Sequence, residues 1–173
     1  MKQRIVKGNR LKRIDMKNLL AVILYLITFS ASAGTYSIGY GSFKDISRES
    51  ISYSNGSIYQ IYRMDVIPEI GVVRFRDNPS GDTIDQVYIT PTFHYRVNNF
   101  TFNGGVGVSW LDSRKLGGKE LSTNFQFNDH IGISYRINNT ASIEYRITHI
   151  SNADIKKPNP GIDGHQVYLK IIH

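Results

Sequence analysis

Residues 125–137, FQFNDHIGISYRI, show the pattern that decides the fold. Phe, Ile and Tyr occupy most of the odd-numbered positions, whereas Gln, Asn, His, Gly, Ser and Arg occupy the even-numbered ones. Successive side chains of a β-strand point to opposite faces, so this alternation predicts a strand with one apolar and one polar face. Residues 87–97, 100–110 and 167–171 repeat the pattern. The chain is therefore predicted to be all-β.

Strand-like segments and turn signals recur along the chain. The dipeptides Asn98-Asn99 and Asn138-Asn139 are typical of short hairpin turns, and longer polar links separate other segments. Short turns that alternate with longer loops indicate an up-and-down antiparallel order. Eight segments are predicted as strands, at about 35–44, 56–65, 67–76, 86–97, 99–111, 121–137, 140–151 and 164–172.

Two architectures give every strand one apolar face. In a soluble sandwich the apolar face meets a core, and in a membrane barrel it meets lipid. Alternation alone leaves both open. Glycines interleaved with Arg96, Arg136, Glu144 and Arg146 suit a narrow polar lumen, and a count of about eight strands predicts a barrel filled by side chains.

The N-terminus has the composition of a secretory signal peptide. Residues 19–29, LLAVILYLITF, follow a basic stretch and precede Ala31-Ser32-Ala33, which has the small-x-small pattern of a cleavage site. We predict a signal peptide over residues 1–33, with Met16 as an alternative start, and a single barrel domain over residues 34–173. A buried core helix and an uncleaved anchor are the alternatives for the apolar run.

Most of the net charge lies in this N-terminal segment. The full chain has 21 Lys and Arg against 14 Asp and Glu, giving +7. Residues 1–33 hold seven of these basic residues and one acid, which leaves 14 minus 13, or +1, for residues 34–173. The basic composition therefore does not predict nucleic-acid binding by the mature domain. The sequence contains no cysteine, so an exported domain must be held together by its own sheet.

Residues 149–163, HISNADIKKPNPGID, carry the groups of a serine-hydrolase site. His149 and Ser151 are two positions apart and therefore share a strand face. An imidazole can activate a neighbouring hydroxyl as a nucleophile, and Asp163 is the local carboxylate that could orient the imidazole. Both side chains fall in the apolar row that includes Ile143, so a site there would serve a substrate dissolved in the bilayer. The alternative is that the two residues only mark where the strand leaves the membrane.

The longer string resembles a known family signature. His-x-Ser-Asn-Ala at 149–153 is followed by Lys-x-Pro-Asn-x-Gly-Ile at 156–162 and an acid at 163. This arrangement is similar to the C-terminal signature of PagL-type lipid A 3-O-deacylases, which are small outer-membrane barrels. The resemblance implies an eight-stranded antiparallel up-and-down transmembrane β-barrel in the outer membrane of a Gram-negative bacterium. It also implies hydrolysis of the ester-linked 3-hydroxyacyl chain at position 3 of lipid A.

The resemblance assigns the residues of the reaction. Ser151 is the expected nucleophile, His149 the general base and then acid, and Asp163 the group that fixes the imidazole tautomer. Family members commonly carry Glu at the position of Asp163, which is shorter by one methylene, roughly 1.5 Å. Gly161 and Gly164 could let the loop approach closely enough for the shorter acid to serve.

Further positions match the family around these three. Asn159 corresponds to the side-chain donor for the oxyanion, with backbone N–H groups near residue 153 assisting. Asp154 stands where the family has glycine. Asn152 and Asp129 match positions near the site and are expected to support it. Lys156 and the lysine that follows could contact lipid A phosphates, or could be solvated loop residues.

Partners and cofactors follow from this interpretation. Lipopolysaccharide is the expected substrate and outer-membrane lipid the expected surroundings, with a homodimer left open and no nucleic acid. A serine triad supplies both nucleophile and proton transfer, so neither a metal nor an organic cofactor is expected. Two other functions stay open: a different lipid-acting barrel, such as a phospholipase or acyltransferase, and a structural or adhesive barrel with a decayed site.

Overall fold

The computed structural model describes residues 34–173, so the predicted signal peptide and its cleavage site lie outside the described residues. Consecutive strands pair antiparallel, β1 also pairs with β8 at Tyr40–Val167, and the sheet closes on itself. The prediction of an all-β, eight-stranded up-and-down barrel is confirmed. The barrel strands are β1 Thr35–Phe43, β2 Ile46–Ser54, β3 Met64–Asp77, β4 Thr83–Val97, β5 Phe100–Leu111, β6 Phe125–Arg136, β7 Ala141–Ser151 and β8 Ile162–Ile172.

One of the eight predicted segments was wrong. The second strand is β2, Ile46–Ser54, whereas the prediction placed it at 56–65. In β2 the buried lumen row includes Arg48 and Ser50, and the outward row includes Glu49. Because both rows contain polar residues, the hydrophobic alternation is too weak to reveal the strand. The remaining predicted segments overlap the observed strands, and only their ends differ.

Short extra elements lie in two of the connections. Tyr59–Ile61 pairs with the beginning of β3, and Lys115–Leu116 pairs with Lys119–Glu120 inside the loop between β5 and β6. The loops 112–124 and 152–161 emerge at the same end of the barrel, which is the end opposite the chain termini. We call this end the loop end. Among residues 34–173, no helix is long and apolar enough to cross a membrane.

Buried ion pairs fill the middle of the lumen. The Arg146 guanidinium donates to Glu69 at 2.7 and 3.0 Å and to Glu144 at 2.5 Å. The Lys170 ammonium donates to the other oxygen of Glu144 at 2.7 Å, and the Tyr88 hydroxyl donates to Glu69 at 2.6 Å. The two acids and two bases balance, which is the condition under which buried charges are tolerated. The lumen is therefore occupied by side chains.

An apolar cluster closes the lumen at the loop end. Ile150 of β7 and Ile162 of β8 face inward into it, each on the strand position next to an outward-facing candidate site residue. Full burial of such a side chain stabilises a fold by about 1.5–3 kcal/mol. The cluster consequently fixes the backbone beneath the candidate site. Its members are Ile46, Val73, Phe75, Ile84, Tyr88, Leu111, Leu116, Leu121, Ile150 and Ile162.

The outward rows of the strands are apolar and exposed. This is the reverse of a soluble sandwich, in which the exposed rows would be polar. An outward apolar band around a polar lumen is the arrangement of a membrane barrel. Exposed members on β5 to β8 include Phe100, Phe102, Val106, Val108, Trp110, Ile131, Ile133, Tyr135, Ile143, Tyr145, Val167 and Leu169.

Candidate active site on the outer wall of the barrel

His149 and Asp163 meet across neighbouring strands. They are direct partners in the antiparallel β7–β8 ladder, and both side chains point outward. His149 Nδ1 lies 2.7 Å from Asp163 Oδ1, so the aspartate reaches the imidazole despite its short side chain. The exposed fractions of the two side chains are 47% and 57%. The pair lies at the loop end of the barrel wall, where β7 ends and β8 begins.

Gly161 lies against the Cε1–Nε2 edge of the imidazole. Its φ is +60°, a left-handed conformation that glycine adopts without strain. A Cβ at this position would lie 2.9 Å from His149 Cε1 and 3.6 Å from Nε2. This edge of the ring therefore faces the loop, and a larger residue at 161 would displace the imidazole.

Ser151 is the last residue of β7 and follows His149 in the same outward row. It is half-buried, and its partner in the β6–β7 ladder is Phe127. The imidazole and the hydroxyl thus project from the barrel wall on the lipid side, as the two-residue spacing predicts.

Asp129 lies on the opposite side of His149 from Asp163. It is the ladder partner of His149 on β6, so the imidazole stands between two carboxylates on three neighbouring strands. Asp129 Oδ1 is buried and has no hydrogen-bond partner among the described residues. The sequence-based expectation that Asp129 lies near the site therefore agrees with its position.

The loop 152–161 is held by its two asparagines. Asn159 Oδ1 accepts a hydrogen bond from the backbone N–H of Asn152 at 3.1 Å. The buried Asn152 side chain donates to Ser122 Oγ and to the Lys156 carbonyl, both at 2.8 Å. Asn152 therefore joins this loop to the loop 112–124.

Asp154 accepts a hydrogen bond from the side-chain amide of Asn159, the group that the resemblance assigns to the oxyanion. Asn159 Nδ2 donates to Asp154 Oδ1 at 3.0 Å, and Lys157 Nζ lies 3.2 Å from Asp154 Oδ2. The hydrogen bond from Asn159, followed by that from Lys157, lowers the pKa of the Asp154 carboxyl below its ordinary value. Ala153 and Asp154 both have positive φ, at 50° and 60°. The loop thus holds a carboxylate where the resemblance leads us to expect glycine.

Two residues that position the loop were missed from the sequence. Lys119 Nζ donates to the Gly161 carbonyl at 2.9 Å, and Ser122 Oγ donates to the Lys156 carbonyl at 2.6 Å. Both come from the loop between β5 and β6. A local motif carries no signal for contacts with residues so distant in sequence. The Lys156 and Lys157 side chains themselves are exposed.

An apolar groove of about 520 Å³ runs along the outer wall beside these residues. Its floor is open at Gly104, an outward-row position of β5 that carries no side chain between Phe102 and Val106. The groove has no counterpart among the sequence-based predictions. Its lining residues are Phe93, Gly104, Gly105, Val106, Asp129, His130, Ile131, Ile147, Thr148, His149 and Asp163. Within residues 34–173, no group of three or more His, Cys, Asp or Glu side chains is arranged to hold a metal ion.

Comparison with known proteins identifies the family of this chain. Residues 76–171 match the family model described as lipid A 3-O-deacylase (PagL). The chain belongs to this family. The matched range contains β4 to β8 almost entirely and includes every candidate residue above. The PagL family match therefore agrees with the resemblance inferred from residues 149–163.

Curated relatives carry the same name. The chain is 29% identical over 139 residues to the lipid A deacylase PagL of Bordetella bronchiseptica, covering 75% of this chain and 78% of that protein. It is 34% identical over 67 residues to the lipid A deacylase PagL of Pseudomonas aeruginosa, covering 39% of each.

Solved structures share the fold. The crystal structure of the outer membrane enzyme PagL aligns with a TM-score of 0.62 at 21% identity, covering 79% of this chain and 98% of that one. Neisserial surface protein A aligns with a TM-score of 0.54 at 13% identity, covering 80% and 94%. The Yersinia pestis protein Ail aligns with a TM-score of 0.53 at 13% identity, covering 82% and 99%. At these identities the likeness concerns the barrel fold alone.

Proposed function

We propose that this protein is an outer-membrane ester hydrolase that removes the 3-hydroxyacyl chain from position 3 of lipid A. Its membership of the lipid A 3-O-deacylase family supports the substrate. The observation that carries the proposal is the His149–Asp163 contact of 2.7 Å on the lipid-facing wall, with Ser151 in the same outward row. A site in that place is accessible to a lipid moving within the bilayer.

The proposed chemistry follows from the orientation of the imidazole. Asp163 accepts the Nδ1–H hydrogen bond, which leaves Nε2 unprotonated and able to accept the Ser151 hydroxyl proton. Ser151 Oγ attacks the ester carbonyl, and the tetrahedral intermediate collapses when His149 returns the proton to the sugar oxygen. Water, activated by the same imidazole, then hydrolyses the acyl-serine and releases the 3-hydroxy acid.

The developing negative charge on the carbonyl oxygen needs hydrogen-bond donors nearby. Asn159 is the side chain that we propose for this role. Its amide nitrogen has two hydrogens, and one already donates to Asp154. Asn152 acts through the loop, since its backbone and side chain fix Asn159 and the neighbouring strand end.

The longer loops support an assignment of sidedness. Outer-membrane barrels have short turns on the periplasmic side and longer loops on the extracellular side. Here the two longest connections, 112–124 and 152–161, lie at the loop end together with 78–82 and the turn 44–45, whereas 98–99, 137–140 and the connection 55–63 lie at the opposite end. The catalytic residues are accordingly at the level of the outer leaflet, where lipid A resides. We further propose that residues 1–33 are the export signal and residues 34–173 the mature domain.

Mass spectrometry of lipid A from cells that express the protein tests the function. We expect the loss of one ester-linked 3-hydroxyacyl group with the wild type, and no loss with Ser151→Ala or His149→Ala. Ser80→Ala is the matched control, because Ser80 is an exposed serine at the same end of the barrel. Free fatty acid released from phospholipid instead would indicate a phospholipase. Unchanged lipids in cells with a folded barrel would contradict any hydrolase function.

A further inference from the structure

Arg48 of β2 is a buried cation near the loop end of the lumen. Its side chain is 2% exposed and lies in the inward row of the strand. No salt bridge within residues 34–173 includes Arg48, and its Nε and Nη2 atoms have no hydrogen-bond partner there. Arg146, by contrast, is neutralised by Glu69 and Glu144. A buried charge without a partner destabilises a fold, so stability does not explain an arginine at position 48.

The Arg48 guanidinium reaches the inner face of β7 and β8. Its Nη1 atom donates to Thr148 Oγ1 on β7. On β8 the guanidinium fills the space beside Gly164, where a Cβ would overlap it. The guanidinium carbon lies 4.7 Å from the centre of the Phe75 ring, which supports it from β3. Arg48 therefore joins an early strand to the last hairpin of the barrel.

Thr148 and Gly164 are the chain neighbours of the proposed catalytic pair. They are partners in the β7–β8 ladder, and the next pair of that ladder is His149 and Asp163. Thr148 Oγ1 also donates to the Gly164 carbonyl oxygen at 3.5 Å, so one hydroxyl links Arg48 to both strands. Thr148 and Gly164 face the lumen, whereas His149 and Asp163 face the lipid. A hold on the inner pair consequently acts on the outer pair through the backbone of the wall.

The catalytic pair lies close to the ends of its two strands. β7 ends at Ser151 and β8 begins at Ile162. The ends of secondary-structure elements open more readily than their centres. A displacement of about 1 Å can lower the rate of an enzyme about 10²-fold. An additional hold on the ladder is therefore of greater consequence at this level than in the middle of the barrel.

We propose that Arg48 is a positioning residue for ester hydrolysis. By holding Thr148 and Gly164 from the lumen, it fixes the relative position of His149 and Asp163 on the opposite face of the wall. The inference rests on the proposed function and extends it to a strand that does not touch the substrate. The bond-breaking steps stay with Ser151 and His149.

Kinetics of the full mature barrel on lipid A in detergent micelles test the proposal. Arg48→Met should lower kcat about 10- to 100-fold, because the inner pair is no longer held. KM should change less than about 2-fold, because Arg48 does not reach the lipid-facing wall. Methionine leaves no carboxylate unpaired, so the urea midpoint of unfolding should stay the same or rise. Activity and stability would thus change independently, which loss of a merely structural residue does not produce.

Thr148→Val removes the acceptor of the Arg48 hydrogen bond and should lower kcat to a similar extent. The double variant Arg48→Met/Thr148→Val should be no slower than the slower single variant, because both changes break the same contact. Arg48→Lys keeps a donor but lacks the planar guanidinium, and should recover part of the kcat.

Two matched controls come from the same lumen. Arg146→Met also removes a buried arginine, but Arg146 donates to Glu69 and Glu144. It should lower the urea midpoint and leave kcat unchanged, which is the reverse of the result expected for Arg48→Met. Thr92→Val changes a buried threonine on β4 and should alter neither quantity.

Several results would overturn the inference. Arg48→Met with the kcat of the wild type would do so, as would multiplicative effects of the two single changes in the double variant. Failure of Arg48→Met to fold, judged by heat-modifiable gel mobility, would make Arg48 a structural residue. A wild type that hydrolyses no lipid A would refute the proposed function together with the inference, whereas an active wild type and an equally active Arg48→Met would refute the inference alone.

Discussion

Replacement of Arg146 by methionine should lower the free energy of unfolding of the barrel more than removal of any charge on its surface. The Arg146 side chain is 2% exposed and touches Glu69 at 2.7 Å and Glu144 at 2.5 Å. Its removal leaves two buried carboxylates with Lys170 as the remaining close cation of this group. Breaking a buried pair by removing one partner typically costs about 3–5 kcal/mol, which is a large share of the roughly 5–15 kcal/mol that stabilises a domain.

Arg96→Met is the matched control. Arg96 pairs with Asp65 near the end of the barrel that holds the chain termini, and the Arg96 side chain is 46% exposed. Exposed pairs contribute about 0–1 kcal/mol, so the two arginine variants should differ by about 2–5 kcal/mol. The double variant Arg146→Met/Glu69→Gln should recover part of the loss, because it removes one of the uncompensated acids.

Urea unfolding of the mature barrel in micelles measures these free energies. Trp110 is the single tryptophan of the chain and lies in an outward row, so its fluorescence reports removal from the apolar surroundings. The activity of Arg146→Met per folded molecule should match the wild type, because Arg146 faces the lumen and donates to Glu69 and Glu144 rather than to Thr148. If Arg146→Met lost no more stability than Arg96→Met, the buried lumen charges would not stabilise one another as inferred.

Substitutions at three site positions, with control variants, test the proposed site through initial rates on lipid A. Gly161→Ala should lower kcat about 100-fold, because the new Cβ would lie 2.9 Å from the His149 ring. Gly81→Ala is the control: Gly81 also has positive φ but has open space around it, so kcat should stay unchanged. Asp163→Ala should lower kcat about 10⁴-fold, because the carboxylate that holds His149 in the reactive tautomer is lost, and Asp163→Glu should retain activity. A loss of less than about 10-fold with Asp163→Ala would contradict this reasoning. Asp154→Gly should raise kcat about 5-fold, equivalent to ~1 kcal/mol, by releasing the amide that it binds, and an unchanged kcat would show that the contact does not hinder the reaction.

The sequence predicted the fold wherever the two strand faces differ in polarity. β6 and β7 alternate in polarity over most of their length, and their outward rows were identified correctly, which placed His149 and Ser151 on the lipid side. β2 was missed because Arg48 faces inward and Glu49 outward, so the two rows look alike. Periodicity detects a strand through the contrast between its faces, and it fails where that contrast is small.

The candidate site was predictable where it is local in the chain. His149 and Asp163 face each other across a single hairpin, so their contact could be inferred from one motif. The bonds from Lys119 and Ser122 to the same loop connect residues 42 and 34 positions apart, and no local pattern indicates them. The groove at Gly104 could not be predicted from the sequence either. A glycine leaves a cavity only if the side chains around it are large, and the strand register determines which side chains those are.

The proposed site residues lie on three consecutive strands, β6 to β8, and on the loop 152–161 between the last two. Asp129, His149 and Asp163 form one row across these strands, while β1 to β3 contribute none of the proposed site residues. The early strands complete the circle and fill the lumen. Their sequences are consequently free to diverge so long as closure, Arg48 and the lumen ion pairs survive. Grafting of residues 83–172, which include the loop 112–124, onto another barrel of the same girth that has an arginine at the position of Arg48 should transfer the activity.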